Sequence, residues 1–391
     1  MDEQSGALVR HFSSLSDPRI NRAKRHKLID LIVIAICAVI CDGDGWEDIE
    51  TFAQVREPWF RSFLELPNGI PSHDTFRRVF ARLDPKAFQR CLLGWIKAVG
   101  AVTEGRLVAI DGKTLRRSFD KANSVAPLHL VSAWSKENQL TLGQVRVEAG
   151  SNEIPAINAL LSLLDLKGMI VTIDAIGCQR ETAGKIVGSG GDYVLALKGN
   201  QPGLHDDVTV ALGGADSAVL TARLGTPVIT TDGDHGRIDE RRYWLSGDID
   251  CLTGKDLWPG LKGIGIAERS SESGGKRSLE RRYFIVSFAN DTARFAAAVR
   301  DHWSIESSLH WRLDVTFRED QSRIRKGHGA ENFSMLRRAA VSLLARAPGK
   351  KASIAKRRYR ASLDENYLFQ ILRAEHDQVL PAPEPAAGSG A

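Results

Sequence analysis

Met169-Ile170-Val171-Thr172-Ile173-Asp174 decides how this chain folds. An apolar, β-branched run that closes on an acid reads as a buried strand with one polar side chain at its end. Leu107-Val108-Ala109-Ile110-Asp111 repeats the pattern. Working outward, Pro127 to Trp134, Leu140 to Val147 and Tyr193 to Leu197 read as three more strands. Asn152 to Leu164 carries Ile154, Ile157, Leu160, Leu161 and Leu164 on one helical face, and Glu181 to Val187 is a shorter helix. Three neighbouring strands, a helix, a strand, a helix and a strand describe an α/β unit, a mixed sheet flanked by helices.

The flanks differ from this centre. Residues 1 to about 100 read as helical: a basic patch (Arg19, Arg22, Lys24, Arg25, Lys27), the apolar run Leu28 to Cys41, a break at Asp42-Gly43-Asp44-Gly45, helical spacing from Trp46 to Phe63, and a helix from N-cap Ser72 through Leu83. That last helix sets Arg77, Arg78 and Arg82 beside Phe76, Val79 and Phe80, which suits a helix docked in a DNA groove and equally a plain surface helix. From Val208 to Ala289 strands and Gly-rich turns dominate, with a long hairpin around Glu272-Ser273-Gly274-Gly275-Lys276. Ala293 to Leu313 and Glu331 to Ala345 are helical, and Pro381 to Ala391 is a disordered tail. The expected division is 1–100 (helical), 101–207 (first part of the α/β core), 208–289 (β-rich insertion), 290–375 (second part of the core with basic helices) and 376–391 (tail).

Composition narrows the function. The 391 residues are 43% hydrophobic and 26% charged, which suits two or three globular domains. The formal charge is +5, but Gln321 to Arg360 holds twelve Lys or Arg against one acid, Glu331, so the remainder is net negative. Such segregation suggests a polyanionic partner, or else a solvated basic segment. Five cysteines, an odd number without a CxxC pair, argue against a zinc ribbon and a disulfide framework and fit a reducing cytoplasm. Leu28 to Cys41 contains Asp30 and is too short to span a bilayer, so no membrane association is expected.

Asp111 and Asp174 each stand where a strand ends, the usual ligand-binding edge of an α/β sheet. Glu306 comes from another element, a helix whose Ile305, Leu309 and Leu313 form the buried stripe, with Glu306 and His310 along its edge. Three carboxylates without a His or Cys cluster suit a hard cation, Mg²⁺ or Mn²⁺. Two such ions, roughly 3.5–4 Å apart, clamp the attacking and leaving oxygens of a phosphoryl transfer. The same aspartates could instead cap neighbouring turns, and Glu319 and Asp320 compete with Glu306 for the third position. His310 and Asp314 are candidates for groups that orient the acids. No GxSxG, GxxxxGK[ST] or HExxH is present. Arg116, Arg117, Lys198, Gln201, Arg323, Arg325 and Lys326 are candidate phosphate contacts. Arg346 to Arg360, with seven basic residues and no acid, is expected to track a DNA backbone in a salt-dependent way.

Four stretches carry a family likeness: FSSLSDPRINRAKRHKL (12–28); NGIPSHDTFRRVFARL (68–83); IDGKTLRRS (110–118) with TIDAIGCQRE (172–181) and LKGNQ (197–201); and HWSIESSLHWRLDVTFRED (302–320) with 331–338. In these the chain resembles the DDE transposases of bacterial insertion sequences, of the ISAs-type group that includes the H-repeat-associated proteins of Rhs elements. The resemblance implies an RNase H-like core with Asp111, Asp174 and Glu306 as catalytic acids and a β-rich insertion in the long gap before Glu306. It implies an N-terminal helical domain for DNA-end binding or assembly, double-stranded DNA as partner, and a homodimer or larger assembly. It also implies cytoplasmic, nucleoid-associated work: binding terminal inverted repeats, cleaving, and joining a 3′-hydroxyl to target DNA. The alternatives are a nuclease that does not join strands and an inactive DNA-binding remnant. One departure stands out. Where many relatives carry a Tyr, Arg and Lys signature around the last acid, this chain has Arg300 six residues before Glu306 and Leu313 seven after it, with His302, His310 and Asp314 nearby. Relatives that form hairpin-ended DNA hold a flipped base with an aromatic residue of the insertion, a place that Trp244 or Trp258 could take or, as core residues, leave empty.

Overall fold

The computed structural model describes residues 10–99, 107–119, 126–212, 216–234, 237–273 and 276–373. The expected tail at 376–391 lies outside them.

Five helices come first: α1 (Leu28–Ile40), α2 (Trp46–Val55), α3 (Glu57–Arg61), α4 (His73–Phe80) and α5 (Pro85–Val99). The apolar α1 is buried from Asp30 to Ile40, Cys37 included. Asp30 survives there because its carboxylate accepts the Leu66 backbone N–H at 3.2 Å, although burial pushes its carboxyl up. The break after α1 is stitched by the Gly43 N–H, which donates to Ala38 O at 2.8 Å. The expected Trp46–Phe63 helix is divided at Arg56, and Pro58 sits in the first turn of α3, where its missing N–H costs nothing. Ser72 holds the N-cap position of α4, but its hydroxyl meets Thr75 Oγ1 rather than a backbone amide.

The centre is one nine-stranded sheet: β1 (Leu107–Leu115), β2 (Leu128–Ser135), β3 (Leu140–Arg146), β4 (Ile170–Ile173), β5 (Asp192–Leu197), β6 (Val228–Asp234), β7 (Arg237–Ser246), β8 (Gly263–Ser273) and β9 (Lys276–Val286), in the order β3-β2-β1-β4-β5-β9-β8-β7-β6. β1, β4 and β5 are mutually parallel and every other pairing is antiparallel. This is the expected mixed sheet flanked by helices, and the β-rich segment prolongs the sheet through the β5–β9 pairing.

Alternation along β1 sends successive side chains to opposite faces. Val108 and Ile110 pack with Ile157, Leu160 and Ile186 of α6 (Glu153–Leu161) and α7 (Arg180–Gly188). α8 (Pro202–Ala211) and α9 (Ser217–Leu224) supply Leu204, Val208 and Leu220 to the same core. Leu107 faces the other way, with Phe295, Ala298 and Val299 of α10 (Thr292–His302). Gly265 lets the Phe295 ring lie directly on β8, since a methyl group there would collide with it.

The helix expected from Ala293 to Leu313 is α-helical only to His302. Ile305–His310 and Arg312–Thr316 are π-helical. In α geometry a four-residue step turns a stripe by about 40°. The wider i→i+5 turn limits that drift. Ile305, Leu309 and Leu313 thus stay fully buried together, while Trp303, Trp311 and Val315 stay exposed together.

α11 (Gly329–Ala345), α12 (Ile354–Leu363) and α13 (Glu365–Arg373) follow. α11 is buried nearly all round, which marks a central helix. It packs on α1, α5 and β3, so the N-terminal and C-terminal helices share one apolar core. Among the described residues no helix is long and apolar enough to cross a membrane.

Candidate active site

Register places the first two acids. Ile110 on β1 pairs with Ile173 on the parallel strand β4, so Asp111 and Asp174 are the next residues on adjacent strands. Asp174 also caps its own turn, accepting the Ile176 N–H at 3.2 Å, as the capping reading expected. Glu306 approaches from the first π-helical segment. All three line one cavity of about 320 Å³ with Thr172, Lys198 and His302.

Electrostatics single out this cavity. Burial pushes the Asp111 carboxyl up to about 7; the Gly112 N–H at 2.8 Å opposes the rise, while the charges of Asp174, Glu306 and Glu153 add to it. Asp174 is raised by burial and by Glu153, against the pull of Lys198. These carboxylates crowd one another, a repulsion that a bound hard cation relieves. Oxygen donors alone are the right chemistry for Mg²⁺ or Mn²⁺. As the side chains stand, no three His, Cys, Asp or Glu among the described residues close into a ready cage.

The neighbours take distinct parts. His310 Nδ1 lies 3.5 Å from Asp111 Oδ2, and burial together with the charges of Arg338 and Lys113 pushes the ring down to about 3, so it is neutral at physiological pH. His302, pushed down to about 4 by burial and Arg282, meets Thr172 Oγ1 at 3.0 Å. Asp314 accepts from Lys113 Nζ at 2.7 Å, and Asp320 accepts from the same ammonium at 3.2 Å and from Arg116 Nε at 3.1 Å. Lys113 escaped the sequence reading. It stands two residues beyond Asp111 and so faces the same side of the sheet, which is the signal that alternation offers.

The two competitors of Glu306 lie elsewhere. Glu319 is fully buried against Arg338 at 3.0 Å and Ser334 at 2.8 Å. Burial pushes its carboxyl up, but Arg338, Arg337 and Lys113 prevail and hold it below the usual range. Arg300 serves another purpose, joining α10 to β6 through Asp232 at 2.6 Å.

Of the candidate phosphate contacts, Arg116, Arg117, Lys198, Arg323, Arg325 and Lys326 are exposed. Gln201 instead donates to Cys178 O at 3.0 Å, bracing the loop after Asp174. The basic run from Gln321 to Arg360 is not all surface. Arg337, Arg338 and Arg358 are buried, Arg338 paired with Glu319 at 3.0 Å and Arg358 with Asp42 at 2.7 Å. Trp244 and Trp258 are core residues, with relative exposures of 1% and 4%. The exposed tryptophans beside Glu306 are Trp303 and Trp311, which line an adjoining cavity of about 480 Å³, and Arg282 stacks 4.2 Å from the Trp303 ring centre.

A mixed sheet with one acid inside β1, where the expected strand end proved to run on to Leu115, a second just past the end of the parallel strand β4, and a third on the helical segment that follows the sheet, defines an α/β protein with its carboxylates gathered at one cavity. Residues 103–344 match the family model described as Transposase DDE domain, and residues 9–96 match the one described as DDE_Tnp_1-associated. The chain belongs to the DDE transposases, in the H-repeat family. It is 38% identical over 370 residues to "Putative transposase YncI" of Escherichia coli O157:H7, covering 94% of both chains. It is 37% identical over 374 residues to "H repeat-associated putative transposase YhhI" of Escherichia coli K12, covering 93% of this chain and 97% of that one. Among solved structures, a piggyBac transposase synaptic complex with hairpin DNA aligns with 99% of this chain and 81% of its own at TM-score 0.42 and 11% identity.

Proposed function

We propose that this DNA transposase binds the terminal inverted repeats of its own element, cleaves phosphodiester bonds there and joins the freed 3′-hydroxyl to target DNA. The observation that carries the reading is the meeting of Asp111, Asp174 and Glu306, from three elements, at one cavity. Two divalent ions, Mg²⁺ or Mn²⁺, held by these carboxylates would supply the positive charge that activates water or a 3′-hydroxyl and stabilises the leaving oxygen.

The protein's own groups prepare that chemistry. Neutral His310 steadies Asp111 without competing for its charge. Lys113 holds Asp314 and Asp320 together below the same face. Lys198 at the cavity, with Arg116, Arg117, Arg323, Arg325 and Lys326 on exposed surface, faces phosphate oxygens of double-stranded DNA, while Gln201 supports the loop beside them. The N-terminal helices take part in end binding or assembly. Two DNA ends handled together call for a homodimer or larger complex, working at the nucleoid in the cytoplasm.

The test is cleavage and joining of a labelled element end with Mg²⁺, comparing the wild type with Asp111→Asn, Asp174→Asn and Glu306→Gln. Each substitution is expected to abolish both steps, and full activity in any one removes that residue from the site. Hydrolysis without strand-transfer product would make the protein a nuclease instead.

A further inference from the structure

Gly112 follows Asp111 on β1 and belongs, by alternation, to the face covered by α6 rather than the face that Glu306 approaches. Its φ is not positive, so no backbone strain calls for glycine there. A strand glycine weakens a sheet unless something needs the space. Here the Glu153 carboxylate does, because a methyl group on Gly112 would lie inside its van der Waals envelope.

Glu153 opens α6 and is held from behind. Its Oε1 accepts from His129 Nε2 at 2.6 Å, and Thr114 Oγ1 lies 2.6 Å from His129 Nδ1. An ionised carboxylate only accepts, so Nε2 carries a proton, while Nδ1 and the threonine hydroxyl share the second hydrogen bond. Thr114 and His129 are direct cross-strand partners on β1 and β2, so the sheet register itself builds this relay. The negative charge of Glu153 acts on Asp111 and on Asp174 alike.

We propose that Glu153 is a fourth carboxylate of the cation site, held beside Gly112, and so next to Asp111, on the sheet face opposite Glu306 by the Thr114–His129 relay and by the space left at Gly112. The proposal rests on the transposase reading above and adds one residue to it. A glutamate serving only the N-terminal dipole of α6 needs neither the relay nor the missing side chain. With Glu153 in place, the two aspartates are flanked by one carboxylate from each side of the sheet, which adds an oxygen donor for the two cations.

Binding of Mn²⁺ alone, measured by calorimetry on the whole chain without DNA, tests it. Glu153→Gln keeps the shape and loses the charge. It is expected to weaken Mn²⁺ binding by about ten- to a hundredfold while leaving the metal-free melting temperature no lower than that of the wild type. Gly112→Ala, which alters no ligand, is expected to lower the affinity in the same direction by displacing the carboxylate. Wild-type affinity and stoichiometry in Glu153→Gln overturn the proposal and leave the three-acid site standing, and so does a variant that loses stability but binds Mn²⁺ unchanged. If the wild type itself takes up no Mn²⁺, the metal-dependent reading falls and the proposal with it.

Discussion

Two groups of buried or half-buried acids in this molecule are treated in opposite ways. Below the π-helical segments, Glu319 sits against Arg338 with Ser334 completing the pair, and on β8 Glu268 is met by Arg281 at 2.7 Å and by Ser217. On β1 and just past β4, Asp111 and Asp174 have other carboxylates for neighbours, with Lys198 as the cation acting on Asp174. The first kind of acid is neutralised within the fold and ties elements together. The second is crowded by like charge, which costs stability that a bound cation would restore. The presence of a cationic partner therefore separates the acids that build this molecule from the acids positioned to work.

The contrast can be broken at four places. The largest effect is expected from Glu319→Gln, which leaves the Arg338 guanidinium buried without its charge partner. Such a loss costs about 3–5 kcal/mol and would appear as an earlier urea unfolding midpoint. Next, Mg²⁺ at about a hundred times its dissociation constant should stabilise the wild type by about 2.7 kcal/mol and Asp111→Asn far less, as read from melting temperature. Equal stabilisation of both would detach Asp111 from cation binding.

Third, Asp111→Asn should be more stable than the metal-free wild type by about 1–3 kcal/mol at pH 8 while losing activity. The sign follows from a folded carboxyl raised to about 7. Above that pH the folded protein carries the full penalty of a buried charge. Between pH 7 and the unfolded value near 4 the penalty shrinks as the folded carboxyl takes up its proton, and below that the two proteins converge. Melts at pH 8 and pH 5 measure the difference; an advantage unchanged at pH 5 would mean that something other than the charge is responsible. The smallest effect belongs to the exposed bridge of Arg300 and Arg241 to Asp232. Asp232→Asn should cost under about 1 kcal/mol, and less in high salt.

Much of the frame was legible. The strands around Asp111 and Asp174 are short apolar runs, and burial on both faces leaves no other pattern for them. The hairpin of β8 and β9 and the central helix α11 follow from local signals in the same way. What stayed hidden depends on partners far along the chain. The basic run after Gln321 looked like one surface, yet Arg358 is committed to Asp42 and Arg338 to Glu319. Trp244 and Trp258 looked equally free to stack on a base, and burial removed both, while Trp303 and Trp311 were left outside by the turn of the π-helical segments. Gly112 and Glu153 carry no local mark, since a glycine and a glutamate forty-one residues apart reveal their contact only when α6 lies over β1.

The amino-acid sequence by itself determined the kind of sheet, the family and the three acids worth testing, because alternation, apolar run length and motif spacing are properties of neighbouring residues. Which acids are neutralised, which arginines reach solvent and which glutamate lies against Gly112 were decided only by tertiary packing. Coulomb interactions and desolvation depend on distance in space, and a linear chain does not contain that distance until the helices are laid on the sheet.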